Sequence, residues 1–171
     1  KGIELTAFVE FQIGGQFHSV TKMFNAYSGL STETTGLNDL GNPVRDPVDQ
    51  GGGIRVDGVL ESGEPHTAYI EPQSLYSDNF FAFHERWIFD QSYAKLREVR
   101  IGYNFPQAWF NKLPIQSLNL SFIGRNLWLI HAEVDGIDPS EISPGSNGFV
   151  FQENGILPGV RSYGVNLRLG F

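Results

Sequence analysis

The clearest regularity along this chain is a period of two. In the closing stretch, "SYGVNLRLGF", Tyr163, Val165, Leu167, Leu169 and Phe171 are apolar, while Ser162, Gly164, Asn166, Arg168 and Gly170 between them are polar or small. Such alternation predicts a strand whose two faces meet different surroundings. Residues 4–15 repeat it: Ala7, Val9, Phe11 and Ile13 share a face, Thr6, Glu10 and Gln12 the other, and Phe8 intrudes on the polar side. Gly14 and Gly15 then end the run. In residues 92–105, Val99, Ile101, Tyr103 and Phe105 oppose Glu98, Arg100, Gly102 and Asn104. Leu96 falls on the Glu98 side, so the phase shifts near Arg97, as it does when a bulge inserts one residue. Residues 117–130 carry Leu118, Leu120 and Phe122 against Asn119 and Ser121, with a second change of phase near Gly124 and Arg125.

Between these strands the pattern changes. Phe17, Val20, Phe24 and Tyr27 recur at helical spacing and predict a short helix, with Gly29 placed as its capping glycine. From 29 to 85 no period survives, and Gly, Pro, Asn and Asp predict turns, with one hairpin over 54–60 around Asp57–Gly58. The segment then turns aromatic, through Tyr69, Tyr76, Phe80, Phe81, Phe83, Trp87 and Phe89. A second long polar loop covers 131–159. The connections between strands are therefore long, short and long. Transmembrane barrels alternate short periplasmic turns with long extracellular loops; a soluble sandwich tolerates any mixture.

The longest apolar runs, such as "LWLI" at 127–130, are far below the roughly 20 residues of a spanning helix. A spanning strand needs only about 9–11 residues with alternate ones apolar. In that setting the apolar faces meet lipid, and Tyr103, Phe105, Trp109, Trp128 and Phe171 would sit at the membrane interface as aromatic girdles. Glu98, Arg100, Asn166 and Arg168 would then face the lumen. A formal charge of −7 argues against a nucleic-acid surface, and the absence of cysteine excludes disulfides and thiolate metal sites. Lys1 is not a methionine and no leader pattern follows it, which reads as a processed product or a fragment.

No catalytic motif survives inspection, and the chain reads as a non-enzyme without a cofactor. His18, His66, His84 and His131 are scattered, and "GGG" at 51–53 lacks the Lys-Ser/Thr of a phosphate loop. Glu133, Asp135, Asp138 and Glu141 crowd one loop with calcium-type oxygens, but not at the spacing of an EF-hand. The aromatic segment supplies the ligand-contact candidates Tyr76, Phe80, His84 and Trp87, since rings on loops pack on sugar faces or peptide side chains.

The stretches "SYAKLREVRIGYNFP", "IGRNLWLI", "DGIDPSE" and the terminal "RSYGVNLRLGF" occur in the order seen at the C-terminus of SusC/RagA-type TonB-dependent outer-membrane transporters. The matching residues are Ser92, Tyr93, Leu96, Arg97, Gly102, Tyr103 and Pro106, then Gly124, Asn126 and Leu127. Asp138-Pro139-Ser140-Glu141 resembles the family's Asp-Pro-Glu loop with a serine inserted. "FQIGGQFHSVTK" and "ERWIFDQSY" add to the resemblance, which is strong over 85–171 and weak over 30–70.

This resemblance implies an all-β fold: residues 1–171 would be the C-terminal four or so strands of an antiparallel transmembrane barrel of about 22 strands, with long extracellular loops containing a short helix. The plug domain and N-terminal strands would lie outside the chain. It implies import of oligosaccharides or peptides through the outer membrane of a Gram-negative, Bacteroidetes-type bacterium. A SusD-like surface lipoprotein and the TonB complex would be the partners, with outer-membrane lipid around the barrel. Tyr163, Val165, Leu167, Leu169 and Phe171 resemble the signal read by the barrel-assembly machinery. The alternative left open is a soluble carbohydrate-binding β-sandwich.

Overall fold

The computed structural model describes residues 2–142 and 151–171. In chain order the elements are β1 (Ile3–Gln12), β2 (Gln16–Ser19), α1 (Val20–Tyr27), β3 (Ile54–Val59), β4 (Pro65–Ile70), α2 (Pro72–Ser74), β5 (Ile88–Asp90), β6 (Tyr93–Asn104), β7 (Ser117–Ala132), β8 (Gln152–Glu153) and β9 (Ser162–Gly170). They form two compact units. The first comprises residues 2–16, 90–142 and 156–171, and the second comprises residues 17–89 and 151–155.

The first unit is a four-stranded sheet of order β1-β6-β7-β9, antiparallel throughout. All four strands are those the alternation predicts. The phase shift at Arg97 is a bulge: Phe8 pairs with Glu98 but Val9 with Leu96, leaving Arg97 without a partner on β1. The shift after Gly124 is its counterpart on β7, where Arg125 pairs with Glu98 and Trp128 with Leu96. Asn126 occupies that gap at φ 52°, alone in positive φ among the described non-glycine residues. Asn tolerates this region better than most side chains because its short amide bonds locally.

The second unit departs from the sequence expectation in three places. Phe17 belongs to β2, not to the helix; Ser19 caps α1 by accepting from the Lys22 N–H, so the helix begins after it. The buried face of α1 carries Met23 and Ala26, while Phe24 and Tyr27 stay half-exposed. Asp57 and Gly58 lie within β3, and the hairpin turns at 60–64 instead, where the Leu60 N–H reaches the Glu64 carbonyl and Gly63 takes φ 85°. That glycine supplies the left-handed conformation at no steric cost. Gly29, at φ 71°, follows α1 as its sequence position predicts.

Met23, Ala26, Leu75, Tyr76 and Trp87 form the unit's core. The unit also holds a three-stranded sheet of order β5-β2-β8, with β8 parallel to β2, and the separate β3-β4 hairpin.

Candidate functional site

The two faces of the four-stranded sheet differ in kind. Registers place Ile3, Leu5, Val9 and Phe11 of β1 beside Tyr103, Ile101, Leu96 and Ala94 of β6, and Phe122 and Leu120 of β7 beside Val165 and Leu167 of β9. Most of these side chains are not covered: Ile3 is 76% exposed, Phe11 72% and Val165 72%, with Tyr163, next along β9 on the same face, 64%. In water such a face would sit on a core. Monomeric soluble proteins rarely leave an apolar patch of this extent open.

Aromatic rings mark the ends of this face. At the end carrying the short β6–β7 connection, Tyr103 packs perpendicular to Phe105 at 4.9 Å between ring centres, and Phe105 meets Trp109 at 5.7 Å. Phe171 follows Gly170, which pairs with Ser117 at the same end. Trp128 lies at the opposite end and is exposed.

The other face is polar and interconnected. Asn119 donates to the Asn104 amide oxygen at 2.7 Å and accepts from Arg100 at 3.2 Å; Asn104 in turn donates to Glu4. Arg125 and Glu98, directly paired across β7 and β6, form an ion pair at 2.7 Å. Asn166 and Arg168 lie on the same face, registered with Ser121 and Asn119. The structure thus brings Glu98, Arg100, Asn166 and Arg168 onto one face, as their sequence parity predicts.

A cluster that sequence reasoning did not single out lies where the two bulges meet. Lys95 is only 2% exposed, yet its ammonium reaches Asp138 at 2.6 Å, Glu141 at 2.8 Å and the Ser140 hydroxyl at 3.0 Å. Arg97 bonds Glu10, Glu141 at 3.2 Å and the Asn126 amide oxygen at 3.0 Å, and Tyr93 donates to Glu10 at 2.7 Å. A bulge sets two consecutive residues toward one side, so the extra residue lets Lys95, Arg97 and Glu98 crowd the polar face.

The Pro139–Glu141 turn is the element they hold, and Asp138 caps it by accepting from the Ser140 N–H. Burial raises the Asp138 carboxyl, but the bonds from Lys95 and Ser140 outweigh it and leave it below its ordinary value. Glu141 is lowered chiefly by Lys95. Of the four carboxylates that crowd this loop in sequence, Asp138 and Glu141 thus serve two cationic side chains. The sequence shows only the parts, basic residues spaced by two on a strand and an Asp-x-x-Glu loop; their pairing across 43 residues is not local.

In the second unit, two ligand-contact candidates prove to be core. Tyr76 is 3% exposed and Trp87 2%; the Trp87 indole donates to the Phe80 carbonyl at 3.0 Å, and the Tyr76 hydroxyl to Glu33 at 2.9 Å. Burial, then the Glu33 contact, pushes the Tyr76 phenol up. Their rings are spent on packing, so they offer no surface to a ligand. Phe80 is partly buried under the Arg86 guanidinium, which stands 4.4 Å from its ring centre. His84 is exposed and lies 3.2 Å from His18 Nε2.

Glu153, in β8, ties the returning segment to the start of α1: its carboxylate accepts from the Ser19 hydroxyl at 2.6 Å, the Thr21 hydroxyl at 2.6 Å and the Thr21 N–H at 3.2 Å. A helix N-terminus favours a negative charge there.

No family model matches the chain. Over its whole length it is 23% identical to TonB-dependent receptor P3 of Formosa agariphila, of which it spans 15%. Its backbone also matches solved structures of the RagAB peptide transporter, with a TM-score of 0.60 at 16% identity. The RagAB peptide importer matches in its closed-closed state with 0.59 and in its open-open state with 0.58, both at 17% identity. Each structural match covers all of this chain and 16% of the other. The likeness shows the fold: the four-stranded sheet is a segment of antiparallel β-barrel, and the resemblance to SusC/RagA-type TonB-dependent transporters extends over the full chain.

Proposed function

We propose that this chain supplies four consecutive staves, with their connecting loops, to an outer-membrane importer of the TonB-dependent, SusC/RagA type. The observation that carries the reading is the exposed apolar face shared by β1, β6, β7 and β9, backed by the hydrogen-bonded polar face opposite. Lipid solvates the first; a water-filled lumen solvates the second. Tyr103, Phe105, Trp109, Trp128 and Phe171 serve as interface anchors at the two rims. Glu98, Arg100, Asn166 and Arg168 line the lumen.

Four strands close no barrel, and an unpaired strand edge is costly in hydrocarbon. The free edges of β1 and β9 therefore pair with further strands of the assembled barrel. The short β6–β7 connection belongs to the periplasmic rim and the long ones to the cell surface. In this setting the cargo is an oligosaccharide or a peptide, a SusD-like lipoprotein covers the outer opening, and TonB supplies the energy through parts of the protein that precede these strands. Tyr163, Val165, Leu167, Leu169 and Phe171 present the terminal strand to the barrel-assembly machinery.

The test is fractionation of the protein in its native host. The full protein is expected in the outer membrane, soluble only with detergent, with a gel mobility that changes on heating. A protein that is soluble and monomeric without detergent refutes the importer and returns the soluble sandwich.

A further inference from the structure

Beside the C-terminal end of α1, the second unit holds an open cavity of about 580 Å3. That lies within the range of ligand pockets, roughly 300–1,000 Å3. Its lining includes Tyr27, Thr34, Arg45, Glu71, Pro72 and Gln73. None of the ligand-contact residues expected from sequence is among them.

The site is pre-formed. Arg45 is fixed by three acceptors, the Thr34 carbonyl at 2.8 Å, the Thr34 hydroxyl at 2.9 Å and the Gly29 carbonyl. The loop that carries it is closed on itself: Asn38 donates to the carbonyls of Gly51 and Gly53 and accepts from the N–H groups of Leu40 and Asn42. At Gly52 a Cβ would fall 1.9 Å from the Asp46 carbonyl oxygen, so only glycine allows this approach. At the rim, the half-exposed Tyr27 ring is braced by Phe81 at 5.3 Å and Phe24 at 6.2 Å between ring centres.

Two features decide what this cavity takes. Its side-chain polar groups are mostly planar: a guanidinium that donates, a carboxylate that accepts and an amide that does both. Vicinal hydroxyls of a sugar, each donor and acceptor, match that set. A braced aromatic ring beside them meets the C–H face of a sugar ring, since its negative π-face attracts polarised C–H groups. The apolar lining is confined to Ala26, Pro47 and Pro72, which leaves no slot for a large peptide side chain. No lining residue lies in a β-strand, so no strand edge is offered to a peptide main chain. Arg45 and Glu71 oppose each other in charge, which suits a neutral ligand.

We propose that this cavity is a binding site for a neutral oligosaccharide, with Tyr27 as stacking platform and Arg45, Glu71 and Gln73 as hydroxyl partners. The proposal rests on the importer reading for its setting and narrows the cargo to sugar.

The experiment uses the full transporter in detergent. Its probes are a panel of neutral gluco-, manno-, xylo- and galacto-oligosaccharides and a mixed library of short peptides, with binding read by calorimetry. Wild type is expected to bind at least one oligosaccharide. Tyr27→Ala and Gln73→Ala are each expected to weaken it by about tenfold or more, with the heat-dependent gel shift unchanged. Arg45 is left intact because it also holds Gly29 and Thr34. Binding of peptides alone, binding of no oligosaccharide, or sugar affinity unchanged in both variants overturns the proposal. A normal outer-membrane gel shift with no sugar binding refutes this site and leaves the importer standing; loss of membrane residence refutes the importer itself.

Discussion

Arg97 donates to the Asn126 amide oxygen at 3.0 Å, joining the bulged residue of β6 to the one described non-glycine residue at positive φ. Each makes the other tolerable: Arg97 has a partner for its extra position, and Asn126 has a bond to offset its backbone. Asn126→Ala removes both the bond and the side chain suited to this conformation. It is expected to cost about 1–3 kcal/mol. Asn126→Gly should cost less, because the backbone is then unstrained. The temperature at which the heat-dependent gel shift occurs measures both.

Lys95→Met leaves Asp138 and Glu141 facing a buried apolar side chain. Breaking a buried ion pair by removing one partner costs roughly 3–5 kcal/mol, and the partly exposed carboxylates place this case at the lower end. The expected result is a protease-sensitive 133–142 loop on a barrel that still assembles. Limited proteolysis of intact outer membranes reads it.

The same loop should respond to acid. Asp138 and Glu141 have their carboxyls lowered from ordinary values of 3.8 and 4.5. A lowered folded value means the stabilisation is fully present above the unfolded value and lost as pH falls through the folded one. Loop protection is therefore expected to be constant from neutral pH to about 5 and to fall below about 4. An acid-stable protease applied across that range tests the sign: protection that rises on acidification contradicts it.

The two faces of β9 should tolerate charge unequally. Val165→Arg places a cation on the apolar face, costing up to about 2–4 kcal/mol at mid-membrane. Asn166→Arg, one residue on, places it on the polar face. Membrane levels of the assembled protein are expected to fall sharply for the first and little for the second; equal levels would remove the assignment of the faces.

Phe171→Ala removes an exposed aromatic at the end of β9 without touching the polar face. Assembly into the membrane is expected to drop more than uptake per assembled molecule. Quantifying folded protein by gel shift beside uptake separates the two.

Much of the wall was legible because a sheet with one apolar and one polar face writes itself as alternation, and a bulge writes itself as a broken phase. The breaks near Arg97 and near Gly124–Arg125 are legible in that way, while the positive φ of Asn126 is not. Pairing is not written so directly. Nothing local in Lys95 says that it is buried against Asp138, 43 residues away. The second unit was harder for a related reason. Its elements are short and capped by single side chains, so Phe17 passed for a helical residue and Asp57–Gly58 for a turn. Tyr76 and Trp87 look like ligand aromatics in sequence because a loop rich in rings gives no sign of which rings face inward. Tyr27, Arg45, Glu71 and Gln73 come from three separate segments, and only folding collects them.

The segment between β1 and β6 leaves and returns at one point of the sheet. The Gln91 N–H bonds the Gly15 carbonyl at 3.0 Å, and the Gly14 N–H bonds the Ser92 hydroxyl at 2.8 Å. Its two ends are thus stapled together by the wall itself, so the wall does not specify the length or content of what lies between. Residues 17–89 fold with the returning β8 strand as a unit of their own, and a longer or shorter segment at the same staple would add little loop-closure entropy, which grows only slowly with length. A scaffold built this way can change the inserted unit while keeping its strands.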